Sequence, residues 1–288
     1  MPAISREWLT RKVLLVAAMM VVVGLVTVVF FVAKEALPSL SQAGPANLFS
    51  SVWDPREGRY GMLVFLVGTL ATTAGGLLLG TPLALGLALF LTQVAPRRPR
   101  ELFSRLVELL AGIPSIVLGW LGFTVLVPHI RSITGSSGSG ILAASIILAV
   151  MIVPTVAAIS RDALEAVPAS YTQAALALGA TRWQTISGVL LPAAKHGILA
   201  AVILGMGRAM GETMAVAMVI GPASVFPTSL TSPTHTLTTK ILMEMGESTG
   251  LQRSALFAMG LVLLLLAMAL VILVRLVSRA RESYAVIE

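Results

Sequence analysis

The sequence predicts an all-α polytopic membrane protein of six transmembrane helices with both termini on the cytoplasmic side. Three observations carry that reading. Of the 288 residues, 57% are hydrophobic and only 11% charged, with a mean hydropathy of +0.93, where a soluble domain carries about 25% charged residues. Uncharged apolar stretches near or beyond the roughly 20 residues that cross a bilayer as helix recur along the whole chain. Lysine and arginine fall unevenly between the two sides that these stretches define: thirteen with the N-terminus, six opposite, and Arg208 alone within a span. The positive-inside rule then places both termini in the cytoplasm. The same composition excludes a soluble globular enzyme, and it excludes a disordered chain, which needs low hydrophobicity and high charge. Cysteine is absent, so thiolate metal sites, disulfides and cysteine nucleophiles are excluded together. The net charge of +7 reads as a topology signal beside membrane lipid, and no nucleic-acid partner is expected.

The first span is the 21-residue uncharged run Val13 to Ala33 between Lys12 and Lys34. A signal peptide is the rival reading, because Arg6, Arg11 and Lys12 form a basic leader. The run exceeds the roughly 7–15 residues of a signal core and no small-x-small cleavage site follows, so an uncleaved span is expected. The next uncharged run, Tyr60 to Pro96, has 37 residues and is too long for one crossing. We expect Gly61 to about Gly68 along the outer interface and Thr69 to Leu91 across the bilayer. Leu109 to Ile130 forms the third span, Ile141 to Ser160 the fourth, Gly197 to Gly221 the fifth and Ser254 to Val274 the sixth. This divides the chain into an N-terminal helix with its outer loop (1–60), a transmembrane domain (61–275) containing a long inner loop (161–196), and a cytoplasmic tail (276–288).

No lysine follows a glycine, so no phosphate-binding G-x-x-x-x-G-K-[ST] loop is present and this chain binds no ATP through one. His129, His196 and His235 lack metal-ligand spacing, and no metal site is expected. The informative residues are Arg208 and Glu212, four apart inside the fifth apolar segment and so one turn apart on one helix face. A charge at mid-membrane costs at least about 2.5–3.5 kcal/mol, part of which pairing offsets. Two readings stand: a self-neutralising pair that ties a helix bundle together, or a guanidinium lining an anion pathway with Glu212 positioning or gating it. A planar fork of donors suits phosphate or another tetrahedral oxyanion.

The inner loop is helix-prone from Ala169 to Leu178 with Gly179 as its stop, and Arg182 to Leu190 suggests a second short helix before Pro192. It is either a hairpin on the membrane surface or a docking element for a soluble partner.

Gln173-Ala-Ala-Leu-Ala-Leu-Gly179, followed after nine residues by Val189-Leu-Leu-Pro192, resembles the E-A-A-x-x-x-G-x(9)-I-x-L-P loop of binding-protein-dependent ABC importer permeases. Gln173 replaces the usual glutamate and Val189 an isoleucine. Val107-Glu-Leu-Leu-Ala-Gly-Ile-Pro-Ser115, Leu178-Gly-Ala-Thr-Arg-Trp183 and Gly207-Arg-Ala-Met-Gly-Glu-Thr-Met-Ala-Val216 are similar to the phosphate importer permeases. Of their two homologous subunit types the PstC type is nearer, on Trp53-Asp-Pro, Tyr60-Gly61 and Met214-Ala-Val216. The resemblance covers roughly residues 50–275.

It implies a type I ABC importer permease fold, and a permease subunit of an ATP-driven inorganic phosphate importer in a bacterial inner membrane, without catalytic activity of its own. It further implies a PstA-type homologous permease subunit, an ATPase dimer that binds the ATP and Mg, and an extracytoplasmic phosphate-binding protein as partners. Arg208 and Glu212 match the family's intramembrane charged pair, and Gln173, Ala174, Ala175 and Gly179 its ATPase-coupling segment. The residues leave open a permease for another oxyanion, a proton-coupled secondary transporter titrating at Glu212, and, on composition alone, an intramembrane hydrolase.

Overall fold

The computed structural model describes the backbone of residues 2–42 and 44–285, with side-chain surroundings from 11 to 276 apart from 43, 45 and 273. The side chains of Arg6, Arg279 and Arg281 of the basic count, and those of the tail beyond Leu276, lie outside the described ones. Among the described residues, six helices are long and apolar enough to cross a membrane: Arg11–Gln42, Leu63–Val94, Ser115–Thr134, Ile141–Glu165, Arg182–Gly211 and Gly250–Leu276.

The fourth of these is the central helix and the most deeply packed, lying between the second and fifth. Small residues let the backbones approach. Gly68, Thr72, Gly76, Gly80, Ala84 and Ala88 are buried at a strict four-residue spacing on the second span, which places them along one helix face. A Cβ on Gly80 would stand 2.7 Å from Ile152 Cγ1 of the fourth span. With little hydrophobic drive between helices in lipid, such close contact is what holds them together. The first and sixth spans form a separate pair, joined by an edge-to-face contact of Phe31 on Phe257 and by Ser254 Oγ donating to the Glu35 carbonyl at 2.7 Å.

Three segments differ from expectation. The second span is one continuous helix from Leu63, so residues 61–68 do not lie along the interface. The helix can run beyond the hydrocarbon because protein sheathes its outer end: Val64, Phe65, Gly68 and Thr69 are buried there. The third span starts at Ser115 rather than Leu109, because Leu109 to Gly112 finish a separate amphipathic helix, Arg97–Gly112. Pro114 disfavours helical backbone at Ile113, which is extended at φ −67°, ψ 127°, and the chain turns there. The fifth span is both longer and shorter than expected. Arg182 to Leu190 is no independent helix but continues through a π-helical turn, Ile186–Leu190, into Leu191–Gly211. At its outer end the helix stops at Gly211, and after a break a seven-residue half-helix, Met214–Ile220, resumes.

At the end of the bundle that the charge pattern assigns to the outside, a two-stranded antiparallel hairpin, Trp53–Asp54 with Arg59–Tyr60, and a short helix, Leu237–Glu244, cap the helices. On the opposite side the helix Ala169–Ala177 lies between the fourth and fifth spans.

Candidate functional site

The site is built on the outer end of the fifth span. Gly197, Ala201, Gly205 and Ala209 repeat every four residues along it, and the last three are buried. A Cβ on Gly205 would sit 2.6 Å from Val156 Cγ2, so this face is pressed against the fourth span. That contact carries Arg208, half-buried in the helix's last turn, to the level of Thr155. Its Nη1 donates to Thr155 Oγ1 at 2.9 Å. A cation in the last turn also meets the negative end of the helix dipole.

Glu212 departs from the expected geometry. Its backbone is extended at φ −68°, ψ 128°, ending the helix one residue before it. The one-turn relation to Arg208 is therefore lost, and no ion pair joins the two among the described residues. Glu212 Oε1 instead accepts the Ala215 N–H at 3.1 Å, at the start of the half-helix, where a carboxylate satisfies an otherwise unpaired amide. The Glu212 carbonyl accepts from Thr238 Oγ1 at 3.1 Å. The self-neutralising pair is thus replaced by two residues with separate anchors. Arg208 is tied to the fourth span, and Glu212 to the half-helix and the outer cap.

The cap contains a polar cluster that sequence reasoning missed. Lys240, a residue counted above only as an outer charge, is buried; it forms an ion pair with Glu244 and donates to Ser224 Oγ at 3.0 Å. Its ammonium lies 5.3 Å from the Trp53 ring centroid and 5.2 Å from that of Phe65, within cation–π range. Glu244 also accepts from Trp53 Nε1 at 2.9 Å and from Gln252 Nε2 at 3.1 Å. His235 is buried beside Phe65, and burial first, then the Lys240 charge, lowers its pKa from 6.5 to about 4. The Leu237 N–H donates to Thr69 Oγ1 at 2.9 Å, locking this cap onto the second span. The signal available beforehand was the Lys240–Glu244 spacing of four; their burial had none.

The predicted coupling residues lie at the opposite end of the same span. Ala169–Ala177 is a helix as expected. Gln173 and Ala174 are exposed, Ala175 is buried against the bundle, and Gly179 takes φ +82° as the helix stop. The Ala180 N–H reaches back to the Ala175 carbonyl at 3.1 Å, closing the C-terminus. Thr181 and Gln184 then form a reciprocal capping box that starts the fifth span at once. A cleft of about 250 Å³ lined by Gln93, Thr172 and Arg182 separates this helix from the inner end of the second span. The helix Ala169–Ala177 and Arg208 therefore stand at opposite ends of one continuous helix, Arg182 to Gly211, about 45 Å long at 1.5 Å per residue.

Comparison with known proteins gives consistent matches. Residues 76–283 match the family described as binding-protein-dependent transport system inner membrane component. The chain is 40% identical over 280 residues to the probable ABC transporter permease protein YqgH of Bacillus subtilis, covering 94% of this chain and 91% of that one. It is 33% identical over 290 residues to the phosphate transport system permease protein PstC of Haemophilus influenzae, covering 94% and 92%. Among solved structures, a bacterial ABC transporter involved in import of the acidic polysaccharide alginate superposes with a TM-score of 0.67 at 18% identity, over 96% of this chain and 97% of that chain. The inward-facing MetNI methionine ABC transporter superposes at 0.59 and 22%, over 80% and 99%. At these identities the structures establish a shared fold.

Proposed function

This chain belongs to the family of binding-protein-dependent transport system inner membrane components, and from that premise we infer that it is a permease subunit of an ATP-driven phosphate importer. It is a multi-pass inner-membrane transport subunit. ATP and Mg are bound and hydrolysed by a separate ATPase, docked through Gln173, Ala174, Ala175 and Gly179, with both chain termini on the ATPase side. The exposure of Gln173 and Ala174 supports that docking. A binding protein delivers phosphate to the outer cap, and a homologous PstA-type permease supplies the other half of the pathway. An apolar groove of about 380 Å³ beside the half-helix, with Ile116, Phe123, Met214, Met218 and Met243 on its walls, supports the second subunit's place.

The observation that carries the mechanism is the separation of Arg208 from Glu212. A guanidinium neutralised by its own carboxylate has little to offer an anion, whereas Arg208 spends one donor on a neutral hydroxyl. Its remaining N–H groups can pair with two oxygens of a tetrahedral oxyanion. The broken helix beside it is the kind of irregular backbone that a membrane protein tolerates where it lines a pathway. ATP-driven movement of the coupling helix tilts the Arg182–Gly211 lever and carries Arg208 with it, and this alternates access. Glu212, held by an amide and a hydroxyl, positions the half-helix that flanks the path.

The test is uptake by the complete transporter in proteoliposomes. Arg208→Gln should reduce phosphate uptake at least about tenfold while the permeases and ATPase still co-purify. Normal uptake by that variant would return Arg208 to a purely structural role.

A further inference from the structure

The helix Arg97–Gly112 has three distinct faces. The first packs on the protein: Phe103 meets Phe90 edge to face at 5.6 Å between centroids, Arg100 forms an ion pair with Glu165, and Ser104 accepts from Arg161 Nη1 at 3.4 Å. The second is an uncovered leucine stripe of Leu102, Leu106 and Leu109, exposed by 58%, 48% and 69% and aligned at i, i+4 and i+7. The third turns to water and carries Arg97, ion-paired to Glu101 at 3.3 Å, together with Glu108. Arg98 and Arg105 stand on the border between leucine stripe and water-facing side, two turns or about 10 Å apart. Both are exposed, and no acidic side chain among the described residues pairs with either.

The spans on either side, ending at Val94 and starting at Ser115, confine this helix to the bilayer surface. A leucine stripe facing acyl chains with arginines at its margin matches an interfacial helix, whose basic residues lie level with headgroup phosphates. We propose that Arg98 and Arg105 form a binding site for anionic phospholipid headgroups, and that the bound lipid steadies this helix as a brace on the inner end of the fourth span. The brace acts through Arg100–Glu165 and Arg161–Ser104, four to eight residues before the coupling helix begins at Ala169. Anionic lipid therefore strengthens the connection between ATPase and pathway. That kinetic consequence rests on the importer reading; lipid binding itself does not.

The experiment uses the complete transporter reconstituted in phosphatidylcholine alone or mixed with phosphatidylglycerol in equal parts. Wild-type uptake should rise severalfold with phosphatidylglycerol. Arg98→Gln with Arg105→Gln should match wild type in phosphatidylcholine and lose the rise, while Arg97→Gln keeps it. Native mass spectrometry should show phosphatidylglycerol retention falling about fivefold for each arginine removed; the single variants give the same reading if the double variant does not assemble. A double variant that retains both the lipid and the rise overturns the proposal, as does a wild type that neither retains phosphatidylglycerol nor responds to it. A photoreactive residue at position 102 should label lipid, and labelling of a protein subunit instead overturns the assignment. If the complete transporter takes up no phosphate in either lipid while phosphatidylglycerol retention follows the arginines, the importer reading fails and the lipid site stands.

Discussion

Thr155 is the residue whose importance no sequence pattern announces. Its hydroxyl holds one nitrogen of Arg208 at 2.9 Å, and a hydrogen bond to a charged group contributes about 1.5–3 kcal/mol. Thr155→Val keeps the shape and removes the bond, leaving the guanidinium free to rotate from the path. The phosphate concentration for half-maximal uptake should then rise by about tenfold, with Thr155→Ser near wild type; equal kinetics in all three would show that Thr155 positions nothing. His235 makes a second prediction at this scale. Its folded pKa, held near 4 by burial and Lys240 and partly restored by Glu244, lies below the 6.5 of an exposed histidine. Between these values the unfolded chain binds the proton and the folded chain does not, so this contribution is whole above about pH 6.5 and is lost as pH falls towards 4. Thermal unfolding in detergent should show the decline, and His235→Gln should flatten it.

At the level of elements, the second, fourth and fifth spans form a packed unit because their contact faces are lined with small residues. The four-residue spacing of Gly197, Ala201, Gly205 and Ala209 was present in the sequence, yet it does not say which helix they face. Introducing leucine at Gly205 would drive atoms into Val156, already 2.6 Å from where a Cβ would stand. Overpacking of this kind costs about 1–3 kcal/mol, and here it separates the lever from Thr155. Gly205→Leu should therefore lower both the unfolding temperature and uptake, whereas Gly207→Leu, whose Cβ meets nothing within 4 Å, should leave the unfolding temperature near wild type. The misplaced boundaries share one origin. Hydropathy averages over a stretch and does not resolve the breaks within it: no proline marks the one after Gly211, and Pro114 beside the one at Ile113 is no different in kind from Pro82 and Pro154, which lie inside intact helices.

For the whole molecule, the lever joins two regions that the sequence separates by about thirty residues. Its inner end depends on Gly179 at φ +82°, a conformation that costs a side-chain-bearing residue about 1–2 kcal/mol. Gly179→Val should leave ATP hydrolysis in the complex while reducing phosphate imported per ATP; an unchanged ratio would show that the coupling segment is not the transmitting element. The sequence by itself determined the membrane class, the presence of six spans, the short helix Ala169–Ala177 with its glycine stop and the presence of two charges, Arg208 and Glu212, inside an apolar segment. All of these follow from local properties: the hydropathy of a stretch, the conformational needs of glycine, the cost of a charge in lipid. Only the tertiary structure decided what those charges touch. Arg208 meets Thr155 across 53 positions of chain, Glu212 meets Thr238, and Lys240 is buried under Trp53 and Phe65. Partners so distant in sequence are chosen by how the helices stack, and stacking depends on all the faces in contact at once.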